Sequence, residues 1–230
     1  MRLEKKFTFS LIDLDRIRDL VLGSNFAVKK AFNERFVNSL YMDSYHLNNY
    51  EDNLSGISNR VKARLRWYSD HPEEKLPTSS SMNFEIKGRS NTIGSKLSHT
   101  IKIKDNNIFL DKNNHKLMIH LRHLLPKSML PFIDSYSEFS LFSSYCREYY
   151  EDHNGELRIT IDKMLVFSKV NPNNVFKNNK SNGISVEYGV LELKKPLLRD
   201  NKIHDVELDI QLLRPGRHSK YAVGINLVNN

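Results

Sequence analysis

The stretch NRVKARLRWY, residues 59–68, alternates cationic and apolar side chains with a period of two. Lys62, Arg64 and Arg66 stand two apart and Arg60 extends the row, while Val61, Ala63, Leu65 and Trp67 fill the positions between them. A period of two is the strand period, so the cations share one face and the apolar residues the other. A helix would scatter the same cations around its circumference. The segment therefore demands a β-sheet with one basic and one oily side.

A magnitude separates two readings of this row. Cations two apart on a strand stand roughly 7 Å from each other. At an effective dielectric of about 20 each neighbouring pair repels by about 2.4 kcal/mol, and in bulk water by only about 0.6 kcal/mol. On a wet surface the row is harmless. In a concave site it needs nearby carboxylates or a polyanionic ligand. The plainer reading is an antiparallel strand with a solvated basic face. The sharper one is a row built to hold consecutive phosphates, and it gains weight if other strands repeat the pattern.

They do. Arg2, Glu4 and Lys6 share a face in a strand over Arg2–Leu11; Glu85, Lys87 and Arg89 do so in Met82–Arg89; Tyr145, Arg147 and Tyr149 in Phe139–Tyr150; Arg158, Thr160 and Asp162 in Glu156–Phe167; and Glu192 and Lys194 in a strand within Ser185–Lys195. Phe36–Met42 reads as a further strand, and residues 90–111, with IKIK at 101–104, are ambiguous between strand and irregular chain. Asp13 is positioned as an N-cap for a helix ending at Gly23, with Ile17, Leu20 and Val21 at helical spacing. Tyr45–Leu54 reads as a turn or short helix. Lys116–Leu125 reads as a helix stopped by Pro126, and Ile203–Leu213 as another ended by Pro215 and Gly216. Residues 69–81 and 171–183 are loops, and the tail GRHSKYAVGI brings Arg217 and Lys220 together near a turn. A normal sandwich or barrel buries its apolar faces inside. The repeated charged faces fit an inverted plan: one α+β domain over residues 1–230, about eight strands closed into a barrel with a charged lumen and peripheral helices on its oily outside.

Composition narrows the partner. The 230 residues suffice for one large core, and the net charge of +8 favours an anionic partner. The N-terminus lacks the apolar core of a signal peptide, and no apolar run approaches the roughly 20 residues that span a bilayer. Cys146 is the sole cysteine, which excludes an intrachain disulfide and a cysteine-based zinc site. A cytoplasmic location is expected.

RLRWY at 64–68, FEIKGR at 84–89, YCR at 145–147, LRITID at 157–162, LELK at 191–194 and SKY at 219–221 follow one another in an order that resembles the VTC domain, the catalytic domain of polyphosphate polymerases within the triphosphate tunnel metalloenzymes. The resemblance runs from Arg2 to about Gly224. It implies an eight-stranded antiparallel β tunnel barrel whose charged lumen binds triphosphate, and ATP-driven synthesis of inorganic polyphosphate with Mn²⁺ or Mg²⁺ as cofactor. It implies that Arg64, Arg66, Lys87, Arg147 and Lys220 hold and neutralise phosphate during transfer, with Lys6 and Arg158 adding phosphate contacts. Glu192 would be the metal ligand. Tyr145 and Ser219 would add hydrogen bonds to phosphate, and Lys62, Lys194 and Arg217 would line the lumen near substrate.

Two departures qualify the likeness. The hydrolase and cyclase branch of that superfamily opens with Glu-x-Glu-x-Lys, where this chain has Arg2, Glu4 and Lys6. A cation replaces a carboxylate, which favours the polymerase-like branch with fewer metal ligands. The eukaryotic polymerases carry a regulatory domain and membrane segments; neither is expected here, nor are their inositol-phosphate regulation and coupling to translocation.

Each feature has a plainer reading. Glu85 with Lys87, and Glu192 with Lys194, would be surface pairs worth under about 1 kcal/mol. Arg158 and Asp162 would form a structural ion pair, Tyr145 would be packing, and His120 with His123 a solvated helix face. Cys146 alternates away from Arg147 and reads as a buried small residue. The rival functions are a triphosphatase or nucleotidyl cyclase on the same barrel, and a non-catalytic module binding polyphosphate or nucleotide. A nucleic-acid partner is disfavoured, because the cations are phased with carboxylates and exposed aromatic platforms are not evident.

Overall fold

Alternation along the strands decides which residues are buried, and the layering follows from it. The computed structural model describes residues 2–24, 26–72, 81–90, 93–102, 113–176, 183–196, 213 and 215–230. In chain order the strands are β1 (Arg2–Ser10), β2 (Lys29–Asp43), β3 (Arg60–Ser69), β4 (Ser81–Ser90), β5 (Ile93–Lys102), β6 (Glu138–Glu151), β7 (Arg158–Lys169), β8 (Ile184–Ser185) and β9 (Tyr188–Pro196). The helices are α1 (Leu14–Leu22), α2 (Asn48–Leu54), α3 (Asn114–Leu124), α4 (Leu130–Ser135) and α5 (Lys220–Asn229). The chain divides into two compact units, and β2, β6 and β7 contribute residues to both.

The first unit comprises Met1–Arg35, Tyr145–Leu165 and Ser185–His218. In it β9 pairs antiparallel with β1 and with β7, placing Lys6 and Thr160 opposite Glu192, and Glu4 and Arg158 opposite Lys194. Directly opposed residues share a face. The polar side chains of three strands therefore gather on one side. Phe7, Phe9, Ile159, Ile161, Leu191 and Leu193 alternate to the other side, where Ile17 and Val21 of α1 cover them. Burying two such aliphatic side chains stabilises the docked helix by about 1.5–3 kcal/mol each. A buried polar clamp adds to it: Arg18 donates to Glu148, which also accepts from Lys163 Nζ (2.7 Å) and Tyr150 Oη (2.7 Å).

The second unit comprises Phe36–Ser144, Val166–Ile184 and Ser219–Asn230. Here β3 pairs with β2 and β4, and β4 with β5, all antiparallel. Ala63, Leu65, Trp67, Met82, Phe84, Ile86, Leu40 and Met42 share the oily face, closed by Leu117, Met118 and Leu121 of α3 and Ile133 of α4. The opposite face carries Lys62, Arg64 and Arg66. Helix α5 also belongs to this unit. A Cβ at Gly224 would stand 2.5 Å from Leu141 Cδ2 and 2.6 Å from Phe167 Cδ1, so glycine sets how closely the helix approaches. No helix among the described residues is long and apolar enough to cross a membrane.

Several expectations need correction. Among the described residues the sheet has nine strands, not eight: the order β1-β9-β7-β6-β2-β3-β4-β5 accounts for eight, and the two-residue β8 pairs with β7 beside that path. That order is open among the described residues, with β1 and β5 at its ends, rather than a closed barrel. Asp13 stands at the N-cap position of α1 as expected, but its side chain makes no capping bond. A 3-10 turn over Leu11–Asp13 precedes α1, and Ser10 caps it by accepting from Ile12 N–H. Residues 93–102 of the ambiguous segment form a full strand. The tail expected as a turn is helix α5, with Ser219 as its N-cap. The helix expected over Ile203–Leu213 lies outside the described residues apart from Leu213.

Candidate functional site

Each unit carries its own cluster of cations gathered round a buried carboxylate. In the first unit the centre is Glu192, 7% exposed on β9. Lys194 Nζ lies 3.0 Å from its Oε1, Lys6 Nζ 3.7 Å from the same oxygen, and Arg147 Nη2 3.9 Å from Oε2. Burial alone would raise the Glu192 carboxyl. Lys6, a hydrogen bond with Glu4, Lys194 and Arg147 together hold it well below the usual carboxylate range. Lys6 also reaches Glu4 at 2.9 Å and donates to the His218 carbonyl at 3.4 Å.

Arg147 is pinned from behind. Its Nε and Nη2 donate to Oδ1 and Oδ2 of Asp162 at 2.5 and 2.8 Å, and its guanidinium lies 5.2 Å from the centre of the buried Tyr145 ring. Burial disfavours the charged guanidinium, yet Asp162 outweighs that and raises its proton affinity further. Asp162 thus pairs with Arg147, while Arg158 is exposed opposite Lys194. Arg217 is also exposed, in the irregular chain before α5.

In the second unit the centre is Glu85, 4% exposed on β4. Arg64 donates to its Oε2 through Nε (2.9 Å) and Nη2 (2.7 Å), Arg66 Nη1 stands 3.5 Å from the same oxygen, and Lys96 Nζ is 2.9 Å from Oε1. Burial pushes this carboxyl up, and Arg64 and Arg66 overcome it to leave the pKa at about 2. Lys87 is exposed and stands in register with Lys62 and Lys96. Lys62 Nζ donates to Ser219 Oγ at 2.7 Å, which joins two of the expected residues and ties the start of α5 to the cation row, with Lys220 next along. Tyr41 takes part as well: Arg64 Nη1 donates to its hydroxyl at 3.3 Å.

Glu85 and Glu192 are buried hubs, not the surface pairs of the plainer reading. Neither Lys96 nor Tyr41 was singled out from sequence. The signal was present only as register, since Lys96 reaches Glu85 across the β4–β5 ladder. Cys146 is buried as expected, and burial pushes its thiol up to about 11, where it is protonated and unreactive.

The family model for the VTC domain matches residues 3–229, nearly the entire length. The chain belongs to the VTC domain family. No curated protein matches this VTC domain. Among solved structures, it is similar to a proposed adenylyl cyclase from Hippeastrum that has a dominant triphosphatase activity, with 14% identity, 99% of this chain and 97% of that chain covered, and a TM-score of 0.55. It is also similar to a proposed adenylate cyclase from Vibrio parahaemolyticus, with 13% identity, 96% and 97% covered, and a TM-score of 0.50. At such identities the likeness concerns the fold.

The VTC domain's donors fit a hard divalent ion at Glu192. Glu4 and Glu192 share one cation, with Lys6 Nζ 2.9 Å from Glu4 and 3.7 Å from Glu192, so two carboxylates converge there. A hard divalent cation takes oxygen ligands of this kind. Among the described residues no group of three or more His, Cys, Asp or Glu side chains gathers for a metal. Two carboxylates, with substrate phosphate and water completing the shell, is the usual arrangement for Mg²⁺.

Proposed function

We propose that this VTC domain transfers the γ-phosphoryl group of ATP to inorganic phosphate or the end of a polyphosphate chain, in a triphosphate-tunnel enzyme that uses Mn²⁺ or Mg²⁺. One observation carries the reading: Glu192, buried and ionised among Lys6, Lys194 and Arg147, with Glu4 beside it. Phosphoryl transfer asks the protein chiefly for positioning and charge neutralisation. Arg147 is held in place by Asp162 and presents a planar donor to phosphate oxygens, while Lys6 and Lys194 act as point charges. In the second unit Arg64, Arg66, Lys62, Lys87 and Lys220, with Ser219, offer phosphate contacts of their own, and in the first unit Tyr145 supports Arg147. Bound Mn²⁺ or Mg²⁺ would neutralise charge on the phosphoryl oxygens and orient them at Glu192.

The choice of acceptor rests on proton affinity. Hydrolysis benefits from a base that takes a proton from water. Glu192 and Glu85 are both held below the ordinary carboxylate range by their cations, which makes them poor bases. A phosphate acceptor is already anionic and needs no such base. The dominant triphosphatase activity of the Hippeastrum neighbour keeps hydrolysis as the second reading. Incubating pure protein with ATP and Mn²⁺ separates them. Long anionic polymer supports the polymerase reading, free phosphate alone supports a triphosphatase, cyclic nucleotide supports a cyclase, and bound but unconverted triphosphate supports a binding module.

A further inference from the structure

Phe32 on β2 is 62% exposed, yet it is not isolated. Its ring meets Tyr149 of β6 edge-on, with centroids 5.9 Å apart at 89°. Arg35 lies over the Tyr149 ring at 5.1 Å and donates Nε to its hydroxyl at 3.1 Å. The three side chains form one small aromatic and cationic corner within the first unit. Tyr149 is two residues along β6 from Arg147, so it shares that residue's face at a spacing of roughly 7 Å. An exposed aromatic group thus stands one step beyond the cations that surround Glu192.

We propose that Phe32, propped by Tyr149 and Arg35, receives the nucleobase of a nucleoside triphosphate whose phosphates lie at Arg147, Lys6 and Lys194. This rests on the reading of that cluster as a phosphate site. Every nucleobase offers a π-face to an aromatic ring, and arginine next to the ring strengthens such stacking. A nucleoside triphosphate has its flat apolar group and its anionic tail at opposite ends, matching the order Phe32, Tyr149, Arg147 along the surface. One ring of this kind suits one base. A row of platforms, as a nucleic-acid strand would need, is not formed by these three residues.

Titration calorimetry with ATP and with inorganic tripolyphosphate tests the assignment. Phe32→Ala weakens ATP binding about tenfold, within the range that base–aromatic stacking delivers, and leaves tripolyphosphate within twofold of wild type. Phe32→Trp restores ATP binding. Phe32 is largely exposed, so both variants fold, and circular dichroism checks it. Equal losses for both ligands, or unchanged ATP binding in Phe32→Ala, overturns the base subsite while leaving the phosphate site standing. A wild-type protein that binds neither ligand overturns the phosphate site and the base subsite with it.

Discussion

Arg147 and Asp162 face each other across β6 and β7 in a two-pronged pair, Nε to Oδ1 and Nη2 to Oδ2, with Asp162 fully buried. The carboxylate fixes the plane of the guanidinium and keeps one cation of the Glu192 cluster in a defined pose. Removing one member of a buried pair leaves the other uncompensated, at a cost of about 3–5 kcal/mol. Asp162→Asn is expected to lose stability on that scale in urea denaturation. Tripolyphosphate should rescue the variant more than the wild type, because a ligand that binds the folded state stabilises it and here also supplies the missing negative charge.

Glu192→Gln keeps the shape of the side chain and removes its charge. Turnover of ATP is expected to be abolished and Mn²⁺ affinity to fall, with the circular dichroism spectrum unchanged. Tripolyphosphate binding without metal should persist, since Lys6, Lys194 and Arg147 no longer face a competing carboxylate. Unchanged turnover in this variant would remove Glu192 from the metal assignment.

Arg64→Ala and Arg66→Ala remove charge-assisted donors on β3. Hydrogen bonds to charged groups contribute about 1.5–3 kcal/mol, so each variant is expected to bind tripolyphosphate at least tenfold more weakly by calorimetry. Arg64→Ala should also cost stability, because Glu85 loses both of its shortest arginine bonds and keeps Lys96 and the longer Arg66 contact.

Much of this arrangement was legible because strand parity is a local property. The row Lys62, Arg64, Arg66 and the oily row Ala63, Leu65, Trp67 needed only their own segment to be sorted onto two faces. What joins the rows was not legible. Lys96 reaches Glu85 only because β5 pairs with β4 in one particular register, and SKLSHTIK carries too few strong strand formers to announce itself. Asp162 reads from sequence as a partner for Arg158 on its own strand, and it is the β6–β7 neighbourhood that brings Arg147 to it instead. Helix α5 was missed because Tyr221, Ala222, Val223 and Ile225 show no marked amphipathic stripe, as a helix touched on several sides does not need one. A two-residue strand such as β8 has no periodicity to detect.

The acid limb of stability should report Glu85. Its folded-state pKa, about 2, lies below the 4.5 of an unpaired glutamate, so the ionised form stabilises the fold. That contribution is fully present above about pH 4.5 and is lost as the pH falls through about 2. Glu148 runs in the same direction, to about 2, and Glu192 is also held well below the usual range, so the wild-type slope contains all three. Urea midpoints measured from pH 6 down to 2 should fall less steeply in Glu85→Gln than in wild type, from a lower starting value. Parallel curves would mean that Glu85 is not held ionised by Arg64 and Arg66.

The hydroxyl of Tyr221 on α5 donates to Oδ2 of Asp43, a fully buried carboxylate that also accepts from the backbone N–H groups of Ser44 (2.7 Å), Asn49 (2.9 Å) and Tyr50 (3.1 Å). Asp43 therefore fastens the start of α2 and the start of α5 at once. The Tyr221 ring independently stacks on Tyr41, with centroids 5.1 Å apart, and Tyr41 accepts from Arg64. Tyr221→Phe keeps the stack and deletes one donor to a charged group, which should cost about 1.5–3 kcal/mol. Tyr221→Leu deletes both and should cost more. Hydrogen exchange of the α5 amides distinguishes a helix that has come loose from a fold weakened throughout. In Tyr221→Phe the amides of residues 222–229 should lose protection ahead of those in β3 and β4. Equal loss across all three elements would mean that α5 unfolds only with the second unit as a whole, and that the Asp43 contact is not what seats it.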